Sequence, residues 1–140
     1  MIFIVDTNIL FSFFRDNPVR TIIVNSPFFG LRLVTPEFAI DELEKIKPNL
    51  LKYTKLKENE LYEILSALKQ CIEVVPLDFF KDYKEKGKIC SPDPKDAPFF
   101  SLALKLQGNI WSNEPRLKKQ NFLKVYSTPD LIQWLESERK

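Results

Sequence analysis

Among its 140 residues the chain has no histidine. That absence removes Ser-His-Asp and Cys-His catalysis, zinc sites with imidazole ligands and any imidazole general base. Cysteine is almost as scarce: Cys71 and Cys90 show no metal or redox spacing and read as reduced thiols, packed or half packed. No apolar run approaches the ~20 residues of a membrane span. The N-terminus lacks a basic region and a small-residue cleavage site, so no signal peptide is read and a cytoplasmic location is expected. A catalytic site in such a chain has to be built from carboxylates, amides, hydroxyls or Lys/Arg. A metal held by carboxylates and water points to Mg²⁺ or Mn²⁺.

What is present describes an ordinary folded domain. With 44% apolar and 29% charged residues the chain is globular in composition, and residues 1–140 fit one domain with a full-sized core. The net charge of +2 is too small to indicate nucleic-acid binding by itself. Basic residues nevertheless cluster at Lys45, Lys47, Lys52, Lys55 and Lys57, at Lys81, Lys84, Lys86 and Lys88, and at Arg116, Lys118, Lys119 and Lys124. Each cluster suits either phosphate contacts or a solvated helix face.

The most informative stretch is Met1 to Leu10, an apolar run interrupted by Asp6, Thr7 and Asn8. Ile2-Phe3-Ile4-Val5 reads as a strand buried on both faces of a parallel sheet. In open α/β sheets ligands bind beyond the carboxyl ends of the strands, where Asp6 falls. Capping of the next helix by Asp6 or Thr7 explains the same residues equally well.

Further along, Asn17-Pro18 signals a helix start and Leu31 to Val34 a second strand. A helix follows from Glu37 to about Ile46, with Ala39, Leu43 and Ile46 on one stripe and Glu42 bordering it. Pro48 is expected to interrupt this helix, with a polar link leading to a helix over Glu58 to Gln70. Ile72 to Pro76 predicts a third strand, and a charged helix spans about Asp78 to Lys86, closed by Gly87. Ser91 to Asp96 is a loop, and the helix from Ala97 to Leu106, apolar almost all round, belongs in the centre of the domain. Gly108 ends it. Short strands at Asn109 to Ser112 and Leu123 to Tyr126, a small basic helix around Pro115 to Lys119 and a helix from Thr128 complete the chain. Strands alternating with helices predict a single three-layer α/β/α domain with a mainly parallel central sheet of about five short strands.

Four acids stand at element junctions or beside a core stripe: Asp6, Glu42, Asp96 and Glu114. Each has a local explanation, a cap for Asp6 and Asp96, a surface helix acid for Glu42, first-turn charge for Glu114. Together, in a chain without histidine, they point to an acidic metal-binding pocket.

The order of these motifs resembles the PIN-domain family of metal-dependent nucleases, which includes the toxin ribonucleases of bacterial and archaeal toxin–antitoxin pairs. The resemblance rests on Ile4-Val5-Asp6-Thr7-Asn8-Ile9-Leu10, Thr35 to Leu43, Asp93-Pro94-Lys95-Asp96-Ala97-Pro98-Phe99, Trp111 to Leu117 and Val125 to Leu131. It implies that Asp6, Glu42, Asp96 and Glu114 are catalytic and metal-binding, with Asp93 as an accessory acid and Asn8, Ser112 and Asn113 as supporting polar residues. Glu114 departs from the family, which usually carries aspartate there; the extra methylene moves the carboxylate by ~1.5 Å on an unchanged backbone.

The activity implied is hydrolysis of RNA phosphodiester bonds with Mg²⁺ or Mn²⁺, in sites of this type often two ions ~3.5–4 Å apart. RNA, an antitoxin protein and a second copy of the chain are the implied partners; Phe11, Phe13, Phe14, Phe28 and Phe29 offer either a dimer surface or core. A haloacid-dehalogenase-type phosphatase would want a second aspartate where Asn8 stands. A receiver-like domain would want its aspartate on a later strand. The alternative kept open by Glu114 is a catalytically weakened PIN-like module that binds RNA or protein.

Overall fold

The computed structural model describes residues 1–138, built around one five-stranded parallel sheet. Strands β1 (Ile2–Val5), β2 (Arg32–Pro36), β3 (Glu73–Val75), β4 (Asn109–Trp111) and β5 (Val125–Tyr126) lie in the order β3-β2-β1-β4-β5. Phe3, Ile4 and Val5 have no exposed surface, as a central strand covered on both faces requires. Ile4 pairs with Val34 on one side and Ile110 on the other, and Val5 pairs with Trp111. The carboxyl ends of β1 and β4 therefore finish side by side. From β1 the chain builds outward through β2 and β3 on one flank, and through β4 and β5 on the other. The reversal opens a crevice between β1 and β4, the usual place for a ligand in such a sheet.

Helices α1 (Thr7–Ser12), α2 (Pro18–Val24), α3 (Glu37–Lys45), α4 (Lys47–Thr54) and α5 (Glu58–Cys71) occupy the first half of the chain. Helices α6 (Leu77–Phe80), α7 (Lys84–Cys90), α8 (Ala97–Leu106) and α9 (Thr128–Glu138) occupy the second. Asn17 caps α2 as expected, its side-chain oxygen accepting from the Val19 and Arg20 N–H groups. The apolar α8 is indeed central, packing across β1, β2 and β4 with Phe99, Phe100, Leu102 and Ala103 buried. The two buried polar side chains of the strands are satisfied: Thr35 Oγ1 donates to the Val5 carbonyl at 2.8 Å, and Trp111 Nε1 donates to Thr128 Oγ1 at 3.1 Å.

Three expectations change. The link after Pro48 is helical: α3 ends at Lys45, close to the expected stop, and Pro48 falls in the first turn of α4, where its missing N–H costs nothing. The charged segment from Asp78 is not one helix: α6 gives way to a 3₁₀ turn at Lys81–Tyr83 before α7 begins. Gly87 lies inside α7 and does not close it. A Cβ at Gly87 would stand 1.9 Å from Ser101 Oγ and 2.8 Å from the Ala97 carbonyl, so the glycine is there to let α7 approach α8.

Of the five phenylalanines considered for a surface, Phe13 and Phe14 are core, Phe11 and Phe29 are half-buried and Phe28 is exposed. Among the described residues no helix is long and apolar enough to cross a membrane.

Candidate active site

Asp6 follows β1 at the crevice and is 5% exposed. It caps and it faces the site at once: one carboxylate oxygen accepts from the Ile9 N–H at 3.0 Å, the other from the Ser112 hydroxyl. Ser112 is the first residue beyond β4, and its oxygen in turn accepts from the Glu114 N–H at 3.0 Å. The Asp6 N–H donates to the Trp111 carbonyl at 3.2 Å, tying the two strand ends together. Burial pushes Asp6 up from the usual carboxylate range to about 6; the hydrogen bonds from Ser112 and Ile9 oppose the rise, and the charge of Asp96 adds to it.

Glu42 projects from α3 and accepts from Thr7 Oγ1 at 2.8 Å. Asp96 precedes α8 but does not cap it: its backbone is helical and its side chain accepts no capping hydrogen bond. Half burial raises its pKa first, followed by the charge of Asp93; Arg116 pulls the other way, and Glu114 and Glu42 add to the rise. Asp6, Glu42 and Asp96 line one cavity of about 270 Å³, together with Thr7, Asn8, Ile46, Lys95 and Phe99. Three carboxylates from three distant parts of the sequence thus face one space. Among the described residues none of the three takes part in an ion pair.

Asp93 and Glu114 form a second group beside the first. Asp93 caps the 3₁₀ turn Pro94–Asp96, accepting from the Lys95 N–H at 3.0 Å. Glu114 caps the 3₁₀ turn Pro115–Lys118, accepting from the Arg116 N–H at 3.2 Å and from Arg116 Nε at 3.1 Å. These bonds hold Glu114 below its usual range. Arg116 also reaches Asp93, with Nη1 3.6 Å from Oδ2. Asn113 turns to α9, its side-chain oxygen accepting from the Thr128 N–H at 2.6 Å.

Thr7, Lys95 and the clamp made by Arg116 did not emerge as site features from the sequence. Thr7 was visible only as a possible cap, and Arg116 only as one of a basic cluster. The partner of Thr7 lies on α3, 35 residues away, and those of Arg116 lie on another loop and across a turn whose shape the sequence does not spell out.

The donor chemistry of the cavity fits a hard divalent cation, since all three acidic groups offer oxygen and the buried one lacks a positive neighbour. Among the described residues no three His, Cys, Asp or Glu side chains already stand as a metal-holding group. The acids surround a space without converging on a point.

The family model for the PIN domain matches residues 4–123, and the chain belongs to the PIN-domain family. Its fold is also similar to that of VapBC2 from Rickettsia felis, whose crystal structure was determined bound to a DNA fragment from the promoter. That match has a TM-score of 0.62 at 14% identity and covers 91% of this chain and 98% of the other. No curated protein matches the sequence significantly.

Proposed function

We propose that this chain is a metal-dependent endoribonuclease whose single catalytic domain spans residues 1–140. The observation that carries the proposal is the placement of Asp6: a buried carboxylate without a protein countercharge, at the β1/β4 crevice, sharing its cavity with Glu42 and Asp96. Membership of the PIN-domain family supports the same reading.

Asp6, Glu42 and Asp96 would hold Mg²⁺ or Mn²⁺, with Asp93 and Glu114 at the margin. Such an ion offsets the charge of a scissile phosphate and lowers the pKa of a bound water. The chain's own residues prepare the site. Ile9 N–H and Ser112 fix the Asp6 carboxylate in one orientation, each using one lone pair of a different oxygen and leaving that oxygen acceptor capacity for an ion. The Thr7 hydroxyl holds Glu42 at the cavity wall. Asp96, rigidly placed at the start of a buried helix, adds the third carboxylate. Lys95, at the rim, is suited to a phosphate of the RNA backbone.

The likeness to VapBC2 supports a toxin role and an antitoxin protein as partner. The exposed Phe28 beside half-buried Phe29 is a reasonable part of a homodimer surface, and the expected setting is the cytoplasm.

The test is cleavage of single-stranded RNA in Mn²⁺ or Mg²⁺, with EDTA and Asp6→Asn as controls. Cleavage that requires the ion and is lost in Asp6→Asn supports the proposal; cleavage that survives both sinks it. The engagement of Glu114 by Arg116 favours a second reading, a catalytically weakened RNA-binding or protein-interaction module. RNA retention in a gel without cleavage would select that reading.

A further inference from the structure

The acids around the crevice fall into two electrostatically different groups. Asp6, Glu42 and Asp96 line the cavity, and among the described residues no lysine or arginine forms an ion pair with any of them. Asp93 and Glu114 stand beside them and share one guanidinium: Arg116 Nε lies 3.1 Å from Glu114 Oε1, and Nη1 lies 3.6 Å from Asp93 Oδ2. The same guanidinium acts on Asp96 across the boundary between the groups.

The local chain explains why Glu114 takes this position. As cap of the Pro115–Lys118 turn its carboxylate folds back onto the Arg116 N–H. The longer glutamate arm makes that return while its backbone N–H still donates to Ser112. The guanidinium then meets the same oxygen from the side. Arg116 is more than half exposed, so the clamp adds little to folding stability. Its consequence lies in where positive charge is already supplied and where it is still needed.

We infer that Arg116 takes the place of a second divalent cation: its guanidinium bridges Asp93 and Glu114 and offsets half of their combined charge, so that the crevice holds one Mg²⁺ or Mn²⁺, at Asp6, Glu42 and Asp96. This inference rests on the metal-dependent reading of the site. Without the guanidinium, Asp93 and Glu114 keep no ion-pair partner among the described residues, the condition under which neighbouring carboxylates recruit a cation. Arg116 is thus a positioning residue for the acids, and it determines metal stoichiometry.

The test is titration of the metal-free protein with Mn²⁺, read as bound ions per chain by calorimetry and by the electron paramagnetic resonance signal of free Mn²⁺. Wild type is expected to bind one ion. Arg116→Ala is expected to bind two, and Arg116→Ala/Glu114→Gln to return to one. Asp6→Asn is expected to lose the tight site. Arg116→Gln, which keeps a long side chain over the turn, repeats the test without exposing new surface. Two ions bound by wild type, or one ion bound by both arginine variants, overturns the role of Arg116 and leaves the nuclease reading intact. No ion bound by any of these proteins overturns both. Normal Mn²⁺ binding without RNA cleavage breaks the nuclease reading alone.

Discussion

Two acid-lined cavities in this molecule make an instructive contrast. The larger, about 760 Å³, lies at the β3 edge and is lined by Glu37, Asp41, Glu44 and Glu73. The smaller, about 270 Å³, lies at the β1/β4 crevice and is lined by Asp6, Glu42 and Asp96. At the edge every acid is exposed, Glu73 is forked by Arg32, and Lys69 stands 3.9 Å from Glu44. At the crevice one acid is buried and none of the three is in an ion pair among the described residues. The number of acids is greater where the chemistry is ordinary. Burial without countercharge marks a site, because a desolvated carboxylate is stabilised by a cation far more than a solvated one is.

The strongest way to break this contrast is to neutralise one acid in each cavity. Asp6→Asn is expected to lower RNA cleavage on the order of 10²–10⁴-fold, as removal of a metal-orienting carboxylate does in a site of this chemistry. Glu44→Gln in the larger cavity is expected to leave the rate unchanged. Equal losses in the two variants would dissolve the distinction.

The pH dependence of stability should differ in sign between the cavities. The native Asp6 carboxyl titrates near 6, above its unfolded value of 3.8, so the folded chain binds the proton more tightly. Its contribution is fully favourable below the unfolded value and is lost as pH rises to 6, a swing of at most about 3 kcal/mol. Glu73 is lowered by its hydrogen bonds from Arg32, so its contribution is present at neutral pH and is lost as pH falls through its folded pKa. Denaturant melts of the metal-free protein should show the first trend vanish in Asp6→Asn, which is expected to be more stable than wild type at pH 7. They should show the second weaken in Glu73→Gln. An Asp6→Asn profile parallel to wild type would mean that the carboxylate is not desolvated.

A smaller effect is expected from the hydroxyl that orients Asp6. Ser112→Ala should weaken Mn²⁺ binding about tenfold, the lower end of what loss of a ligand's supporting hydrogen bond costs. The same substitution should raise the Asp6 pKa further, since that hydrogen bond lowers it. The smallest effect is expected from Thr7→Ser, which keeps the hydroxyl donor to Glu42 and should change the cleavage rate less than about threefold, whereas Thr7→Val should lower it more.

Much of the architecture was legible in the linear chain. The apolar run before Asp6, the cap-and-proline pair Asn17-Pro18 and the all-round apolar helix after Asp96 are signals carried by neighbouring residues, and all three describe what is observed. The signals that misled were also local. Pro48 and Gly87 both read as stops, yet one opens α4 and the other lies where α7 crosses α8. Proline is tolerated in a first turn and glycine wherever backbones approach, and the sequence does not show which circumstance applies.

For the site, the sequence determined which residue types are available. A chain without histidine that places Asp6, Glu42, Asp96 and Glu114 at element junctions can build its chemistry from carboxylates, and this much follows from composition and order. Only the tertiary structure decided which acids share a space. Pairing of β1 with β4 sets Ser112 against Asp6 across 106 residues, and packing of α1 against α3 sets Thr7 against Glu42 across 35. It also decided which acids already have a countercharge, because the folding of Glu114 back onto Arg116 depends on a turn geometry that no residue pattern specifies. Charge and chemical type belong to residues one at a time, whereas burial and compensation belong to pairs brought together by the fold.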